Sequence, residues 1–125
     1  MKRSMILGLA AAVILSACGG SPDLLPEHEV DLFEFGIQSK GEWTPTAPVA
    51  VTNSGEFSHT LVITREDGGV VFASDVIGPG ETATIRLDLE PGEYELSCRL
   101  VAQTDGGDLI DHFEKGMRAD LTIIE

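Results

Sequence analysis

Two turn sequences of similar composition, one strand length apart, constrain the fold of this chain most strongly. They are Gly-Pro-Gly-Glu at residues 78–81 and Glu-Pro-Gly-Glu at residues 90–93. Proline presets φ at the first central position of a turn and glycine accepts a positive φ at the next, so each block predicts a tight turn. Between them apolar and polar residues alternate, and one face consists of Ala83, Ile85, Leu87 and Leu89. This alternation is typical of a half-buried β-strand.

The same combination of short strand and turn recurs along most of the chain. The predicted strands cover residues 30–35, 47–52, 59–64, 70–73, 82–89, 94–98 and 118–125. No segment has the periodicity of a convincing amphipathic helix. About seven to eight short strands at this spacing predict an all-β fold, namely a Greek-key antiparallel β-sandwich.

The amino terminus has the features of an export signal. Lys2 and Arg3 precede an apolar stretch at residues 5–15, which is too short to span a bilayer comfortably. The Leu-Ser-Ala-Cys that ends at Cys18 resembles the lipobox of bacterial lipoproteins. That resemblance implies cleavage before Cys18 and acylation of its thiol; the alternative is an ordinary secretory signal with Cys18 there by chance.

These features divide the chain into three parts. Residues 1–17 are predicted to be a lipoprotein signal peptide, and residues 18–27, which are small and contain proline, a flexible tether. Residues 28–125 are predicted to form a single domain, which is long enough for one core. The expected location is outside the cytoplasm, lipid-anchored to a bacterial membrane and facing the periplasm or the cell surface.

The chain is strongly acidic, with 21 acidic residues against 8 basic ones and a net charge of −13. Loss of Lys2 and Arg3 with the signal peptide would change that charge to about −15. Such a surface repels nucleic acid and anionic lipid headgroups and favours a basic protein partner. The simpler explanation is that the acidity keeps the domain soluble.

The chain has two cysteines, and one of them is predicted to carry lipid. Cys98 would then be an unpaired thiol in an oxidising compartment, where a metal–thiolate bond or deep burial would protect it. If Cys18 is not acylated, a Cys18–Cys98 disulfide is the alternative.

Four residues in the predicted sandwich form a possible metal-ligand set. Cys98 ends one predicted strand, His112 and Met117 lie in the loop before the last strand, and His59 begins an interior-facing strand. A thiolate, two imidazoles and a weak thioether are the ligands of mononuclear copper electron-transfer centres. Individually, a strand histidine is usually structural or exposed, a methionine is usually part of the core, and a cysteine is usually a small buried hydrophobic residue. Together they predict one mononuclear copper site that cycles between Cu(I) and Cu(II).

Three sequence blocks resemble the cupredoxins, the superfamily of plastocyanin and azurin. They are Asn-Ser-Gly-Glu-Phe-Ser-His at residues 53–59, the Gly-x-Tyr-x-x-x-Cys that ends at Cys98, and a His-x-x-x-Gly-Met that ends at Met117. The resemblance implies copper ligation by His59, Cys98, His112 and Met117 in a sandwich fold. It also implies one-electron transfer without a small-molecule substrate, to a redox protein such as a basic cytochrome or an oxidase.

One departure from this pattern is large. Thirteen residues, 99–111, separate Cys98 from His112, whereas family members usually place two to about five there. Closing the longer loop costs well under ~1 kcal/mol more, so the ligands can still converge. The inserted segment is expected to dock a partner or to shield the site from solvent. It could instead bring Asp108 or Asp111 near the metal.

Two other functions stay open at this point. The same ligands would suit a copper storage or delivery lipoprotein, and the domain could also be a metal-free, cupredoxin-like interaction module. Phe57 and Phe113 flank the predicted ligands, either as an apolar collar for a partner or as ordinary core residues.

Overall fold

A computed structural model describes residues 25–125. The predicted signal peptide, Cys18 and most of the predicted tether lie outside these residues. No helix in the described range is long and apolar enough to cross a membrane. The range contains eleven strands: β1 (His28–Phe33), β2 (Gly36–Gln38), β3 (Glu42–Trp43), β4 (Pro48–Asn53), β5 (Val62–Arg65), β6 (Val70–Ala73), β7 (Thr82–Arg86), β8 (Gly92–Ser97), β9 (Val101–Gln103), β10 (Leu109–Asp111) and β11 (Arg118–Ile123).

The strands form two sheets and one separate hairpin. One sheet has the order β2-β1-β4-β7, the other has the order β3-β11-β8-β5-β6, and β9 pairs with β10 in the hairpin. Among the longer strands, the chain changes sheet between β4 and β5, between β6 and β7, and between β7 and β8. The core includes Leu32, Trp43, Val49, Val51, Leu61, Ile63, Leu96, Leu121 and Ile123. The all-β sandwich predicted from the alternation is therefore confirmed.

The structure differs from the prediction in strand number and direction. Seven strands have four or more residues and correspond to the seven predicted segments, but β2, β3, β9 and β10 have only two or three. Two pairs, β1 with β4 and β3 with β11, are parallel, so the sheets are mixed and not purely antiparallel. Strands this short carry too few residues for their alternation to be recognised.

The turn before β7 has the conformation that its sequence predicts. The N–H of Glu81 donates to the carbonyl of Gly78 at 3.0 Å, and Gly80 has a φ of 81°. A positive φ near this value is required at the third position of a type II turn, where glycine fits without strain. The strand that follows buries Leu87 and Leu89 just beyond its end, as its alternation predicts.

Backbone hydrogen bonds join distant parts of the chain at two places near the predicted ligands. His59 forms an isolated bridge with Ile77, with hydrogen bonds of 3.0 and 2.8 Å. The N–H of Cys98 donates to the carbonyl of Met117 at 3.1 Å, and the N–H of Met117 donates to the carbonyl of His112 at 3.1 Å. Together, the two places include all four predicted ligands.

Candidate metal centre

Three of the four predicted ligand residues converge on one point. Nδ1 of His59 lies 3.1 Å from Nδ1 of His112, and Sγ of Cys98 lies 3.9 Å from the former and 3.5 Å from the latter. All three residues are fully buried, and within residues 25–125 they form the one group of histidine, cysteine and acidic side chains close enough to share a metal ion.

The spacing of these atoms fits a single small cation. A triangle with sides of 3.1, 3.5 and 3.9 Å has a centre about 2 Å from each corner, which is the length of a typical metal–imidazole bond. Two imidazoles and a thiolate in one plane are also the donors of a trigonal copper centre. The residues therefore fit such a metal without a change of backbone.

The electrostatics of the site favour neutral imidazoles. Burial lowers the pKa of His59, the neighbouring His112 lowers it further, and Glu34 opposes this effect. Burial also lowers the pKa of His112, against the opposing charges of Glu34 and Asp111. Metal ligation requires unprotonated nitrogen, so both rings are held in the form that binds a cation.

The strand prediction for His59 needs one correction. His59 does not begin a strand, because β5 starts at Val62 and His59 makes only the bridge to Ile77. The following N–H group, that of Thr60, points at Sγ of Cys98 at 3.4 Å. The late start of the strand thus leaves a backbone donor for the sulfur.

Met117, the fourth predicted ligand, is fully buried, and its backbone belongs to the same hydrogen-bonded framework. Its carbonyl accepts from the N–H of Cys98, and its own N–H donates to the carbonyl of His112, each at 3.1 Å. Gly116, with a φ of 105°, makes the sharp bend between the loop and β11. The backbone of Met117 is therefore tied to two of the three converging residues.

Aromatic side chains cover His112. The centroid of its ring lies 5.2 Å from that of Phe35 and 6.2 Å from that of Phe57, which stacks on it at an interplanar angle of 29°. Phe57 is 40% exposed while His112 is fully buried, so Phe57 separates the imidazole from solvent.

Phe113 does not belong to this cover. Its ring is held by two guanidinium groups, that of Arg99 at 3.8 Å and that of Arg118 at 4.9 Å from the centroid. Cation–π contacts of this kind stabilise by about 0.5–1 kcal/mol at exposed sites. They fasten the loop between His112 and Met117 to a residue that follows β8 and to the first residue of β11.

The thirteen-residue insertion forms an ordered hairpin. Strands β9 and β10 pair antiparallel, and the N–H of His112 donates to the carbonyl of Leu100 at 3.1 Å, which closes the hairpin at its base. Ala102 and Ile110 of the hairpin and Phe57 line a shallow hollow of about 470 Å³.

Neither Asp108 nor Asp111 of the insertion belongs to the metal-ligand group found in residues 25–125. Asp108 is exposed. Oδ1 of Asp111 accepts from the N–H groups of Phe113 and Glu114 at 3.0 and 3.2 Å, and so caps the loop between His112 and Met117 instead.

Two residues that support the site are absent from the sequence-based prediction. Asn53 is fully buried; its Nδ2 donates to the carbonyls of Phe57 and Ile77 at 2.8 and 2.9 Å, and its Oδ1 accepts from the N–H of Gly55 at 2.9 Å. Asn53 stands at the start of the block that resembles the cupredoxins, residues 53–59, but its side chain had no predicted role. Glu34, whose Oε1 lies 3.6 Å from Nε2 of His59, is one of 21 acidic residues, and no local pattern distinguishes it.

Comparisons with known proteins agree with this architecture. No protein-family model and no curated protein matches the sequence. Among solved structures, the chain is similar to dithionite-reduced auracyanin from Roseiflexus castenholzii, with a TM-score of 0.57 and 21% identity over 78% of this chain and 95% of that one. It is also similar to a purple cupredoxin from Nitrosopumilus maritimus, with a TM-score of 0.51 and 14% identity over 78% and 99% of the two chains. An oxidised mutant of amicyanin matches with a TM-score of 0.51 and 12% identity over 86% and 88%. Identities this low establish architecture alone, and the chain has the cupredoxin fold.

Proposed function

We propose that this chain is a type 1 (blue) copper protein that transfers single electrons outside the cytoplasm. His59, Cys98 and His112 would be the trigonal ligands and Met117 the weak axial one. The observation that carries the proposal is the convergence of two Nδ1 atoms and one Sγ within 3.9 Å in a fully buried cluster. The cupredoxin fold supports it, because the structures of similar fold include Cu(I) forms of amicyanin.

The donor set suits both oxidation states of copper. A bound copper ion would supply a one-electron couple. The chain contributes a fixed arrangement of donors: the bridge to Ile77 fixes His59, and the hydrogen bond to Met117 fixes Cys98. Burial of all three converging residues keeps water away from the centre. A donor set that rearranges little between the two oxidation states favours rapid electron transfer. The exclusion of water from the site disfavours substrate chemistry.

The route to a partner would pass through the aromatic cover of His112. Phe57 stacks on that ring and is 40% exposed. The exposed apolar side chains of Val101 and Leu109 lie on the hairpin that lines the same hollow. The net charge of −13 favours a basic redox protein, such as a cytochrome or an oxidase.

The proposed location rests on the sequence of the amino terminus. Acylated Cys18 would hold the protein on the membrane, and residues 18–27 would be the tether. The intact mass of protein purified from membranes tests this, since it should show a chain beginning at Cys18 with added lipid. Cys18→Ser should release the protein from the membrane fraction, and continued membrane association would contradict the anchor.

The copper site is tested by adding one equivalent of Cu(II) to the purified protein. An intense visible band from thiolate-to-copper charge transfer is expected, and Cys98→Ser should abolish it. Ser97→Ala is the matched control, because Ser97 is equally buried but its hydroxyl accepts from Arg99. A wild type without the band, or a band that survives Cys98→Ser, contradicts the proposal.

Copper storage or delivery is separated from electron transfer by the rate of metal exchange. A protein that delivers copper should lose it quickly to a chelator. The full burial of His59, Cys98 and His112 favours retention instead. A metal-free interaction domain would show no stoichiometric copper after purification from copper-supplemented cells.

A further inference from the structure

A carboxylate reaches the candidate metal centre from a separate part of the chain. Glu34 lies in the turn between β1 and β2, and its Oε1 is 3.6 Å from Nε2 of His59. The side chain of Glu34 is 22% exposed and that of His59 is fully buried. A negative charge therefore lies behind the imidazole, on the side opposite to Cys98 and His112.

The position of this carboxylate is fixed by the segment that precedes His59. Oε1 accepts from the N–H groups of Glu56 at 2.6 Å and Phe57 at 2.7 Å. Gly55 provides the space, because a Cβ there would overlap the Glu34 carboxylate. Two charge-assisted hydrogen bonds are enough to hold one side chain in a single orientation. The contact with His59 is therefore built by the fold.

The chemistry of metal ligation gives this contact a role. Nδ1 of His59 faces Cys98 and His112, so a cation bound there leaves the ring proton on Nε2. That atom is buried and has no hydrogen-bond partner within residues 25–125. Ligand histidines commonly direct their second N–H at a carboxylate, which fixes the orientation of the ring and raises its basicity.

The two imidazoles differ in what lies next to the nitrogen that faces away from the candidate metal centre. Nε2 of His112 is also buried without a hydrogen-bond partner among the described residues. Its ring, however, is covered by Phe35 and Phe57. One predicted ligand thus has a carboxylate behind it, and the other has an apolar cover.

We propose that Glu34 is a positioning residue for the copper centre, one that orients His59 and lowers the reduction potential by favouring Cu(II) over Cu(I). The proposal rests on the copper-binding function proposed above. It assigns to Glu34 an electrostatic effect on the metal in addition to its hydrogen bonds with Glu56 and Phe57. The greater charge of Cu(II) is stabilised more than that of Cu(I) by a nearby anion.

The direct test compares copper-loaded Glu34→Gln with wild type. The amide keeps the shape of the side chain and removes its charge. We expect a loss of about tenfold in the affinity for Cu(II) relative to Cu(I), which is a rise of about 59 mV in the midpoint potential. Glu56→Gln is the matched control, since it removes the same charge from an exposed neighbouring side chain. Equal potentials for these two variants would overturn the proposal.

A second variant separates the effect of the carboxylate's position on the potential from the effect of the protein's net charge. In Gly55→Ala the added Cβ takes the space of the Glu34 carboxylate, so the contact with His59 is lost while no charge is removed. The potential is expected to rise as in Glu34→Gln. An unchanged potential in a variant that retains the wild-type circular dichroism spectrum argues against the role of Glu34.

A third measurement needs no metal. The 3.1 Å contact between the two Nδ1 atoms requires one hydrogen, and Glu34 favours the Nε2–H form of His59, so His112 should donate. Nitrogen-15 NMR of the histidine rings in metal-free protein should show this pair of tautomers, and Glu34→Gln should alter it. A wild-type His59 protonated on Nδ1 would refute the role of Glu34. Failure of the wild type to bind copper would refute the proposed function. The tautomers of the metal-free protein would still test separately whether Glu34 orients His59.

Discussion

Replacement of Asn53 by alanine is expected to destabilise both the sandwich and the centre that it supports. The side chain makes three hydrogen bonds: to the carbonyls of Phe57 and Ile77 and from the N–H of Gly55. A typical hydrogen bond contributes about 1 kcal/mol net. The expected loss is therefore about 3 kcal/mol, with the Ile77 carbonyl partly compensated because it still accepts from the N–H of His59 at 3.0 Å.

Urea unfolding of the metal-free, reduced protein measures this loss. The single tryptophan, Trp43, is 1% exposed and so reports unfolding by its fluorescence. Metal must be absent because a ligand that binds only the folded state would raise the apparent stability. The midpoint should fall while the slope of the transition stays the same.

Thr52→Ala is the matched control for Asn53→Ala. Its hydroxyl lies 2.9 Å from that of Thr82 in a contact open to solvent, and surface substitutions usually change stability by no more than about 0.5 kcal/mol. Equal effects of the two substitutions, or a loss below about 1 kcal/mol for Asn53→Ala, would refute the reasoning. Either result would mean that water or a shifted loop replaces the three hydrogen bonds.

Three further predictions follow from burial, loop structure and charge. Met117→Leu conserves most of the buried volume and should cost less than about 1.5 kcal/mol in urea unfolding, yet it should shift the copper potential; an unchanged potential excludes an axial thioether. Replacement of residues 103–108, all exposed, by a two-residue turn should leave the visible copper band intact, and loss of the band would show that the hairpin shapes the centre. Burial lowers the pKa of His59 and His112 below the ordinary 6.5, so at pH values below this the unfolded chain binds more protons than the folded one. The free energy of unfolding of the metal-free protein should therefore fall as the pH is lowered, by at most about 1.4 kcal/mol per pH unit for each ring. Urea midpoints between pH 7.5 and 5.0 measure this fall, and a flat profile would contradict it.

The convergence of His59, Cys98 and His112 could be anticipated because, with Met117, they form the donor set of a copper centre and lie in sequence blocks that resemble the cupredoxins. Cys98 follows an alternating strand, and His112 lies a few residues before the last one. Alternation and turn signals together also predicted the seven longer strands. Local patterns were sufficient where a residue's position depends on its immediate neighbours in sequence.

The supporting residues could not be anticipated in this way. Glu34 and Phe35 come from the turn after β1, and they reach His59 and His112 only because the two sheets pack. The parallel pairing of β1 with β4 likewise depends on the whole topology. Strand β3, with two residues, is too short to show any period.

The hydrogen bond between Leu100 and His112 has a consequence for how this centre can diversify. It brings the two ends of the insertion together next to Cys98, independently of how many residues lie beyond. Length and sequence at residues 103–108 can then vary without moving Cys98 or His112. The hairpin is accordingly a suitable site for grafting recognition peptides, through which the proposed copper protein could be directed to different partners.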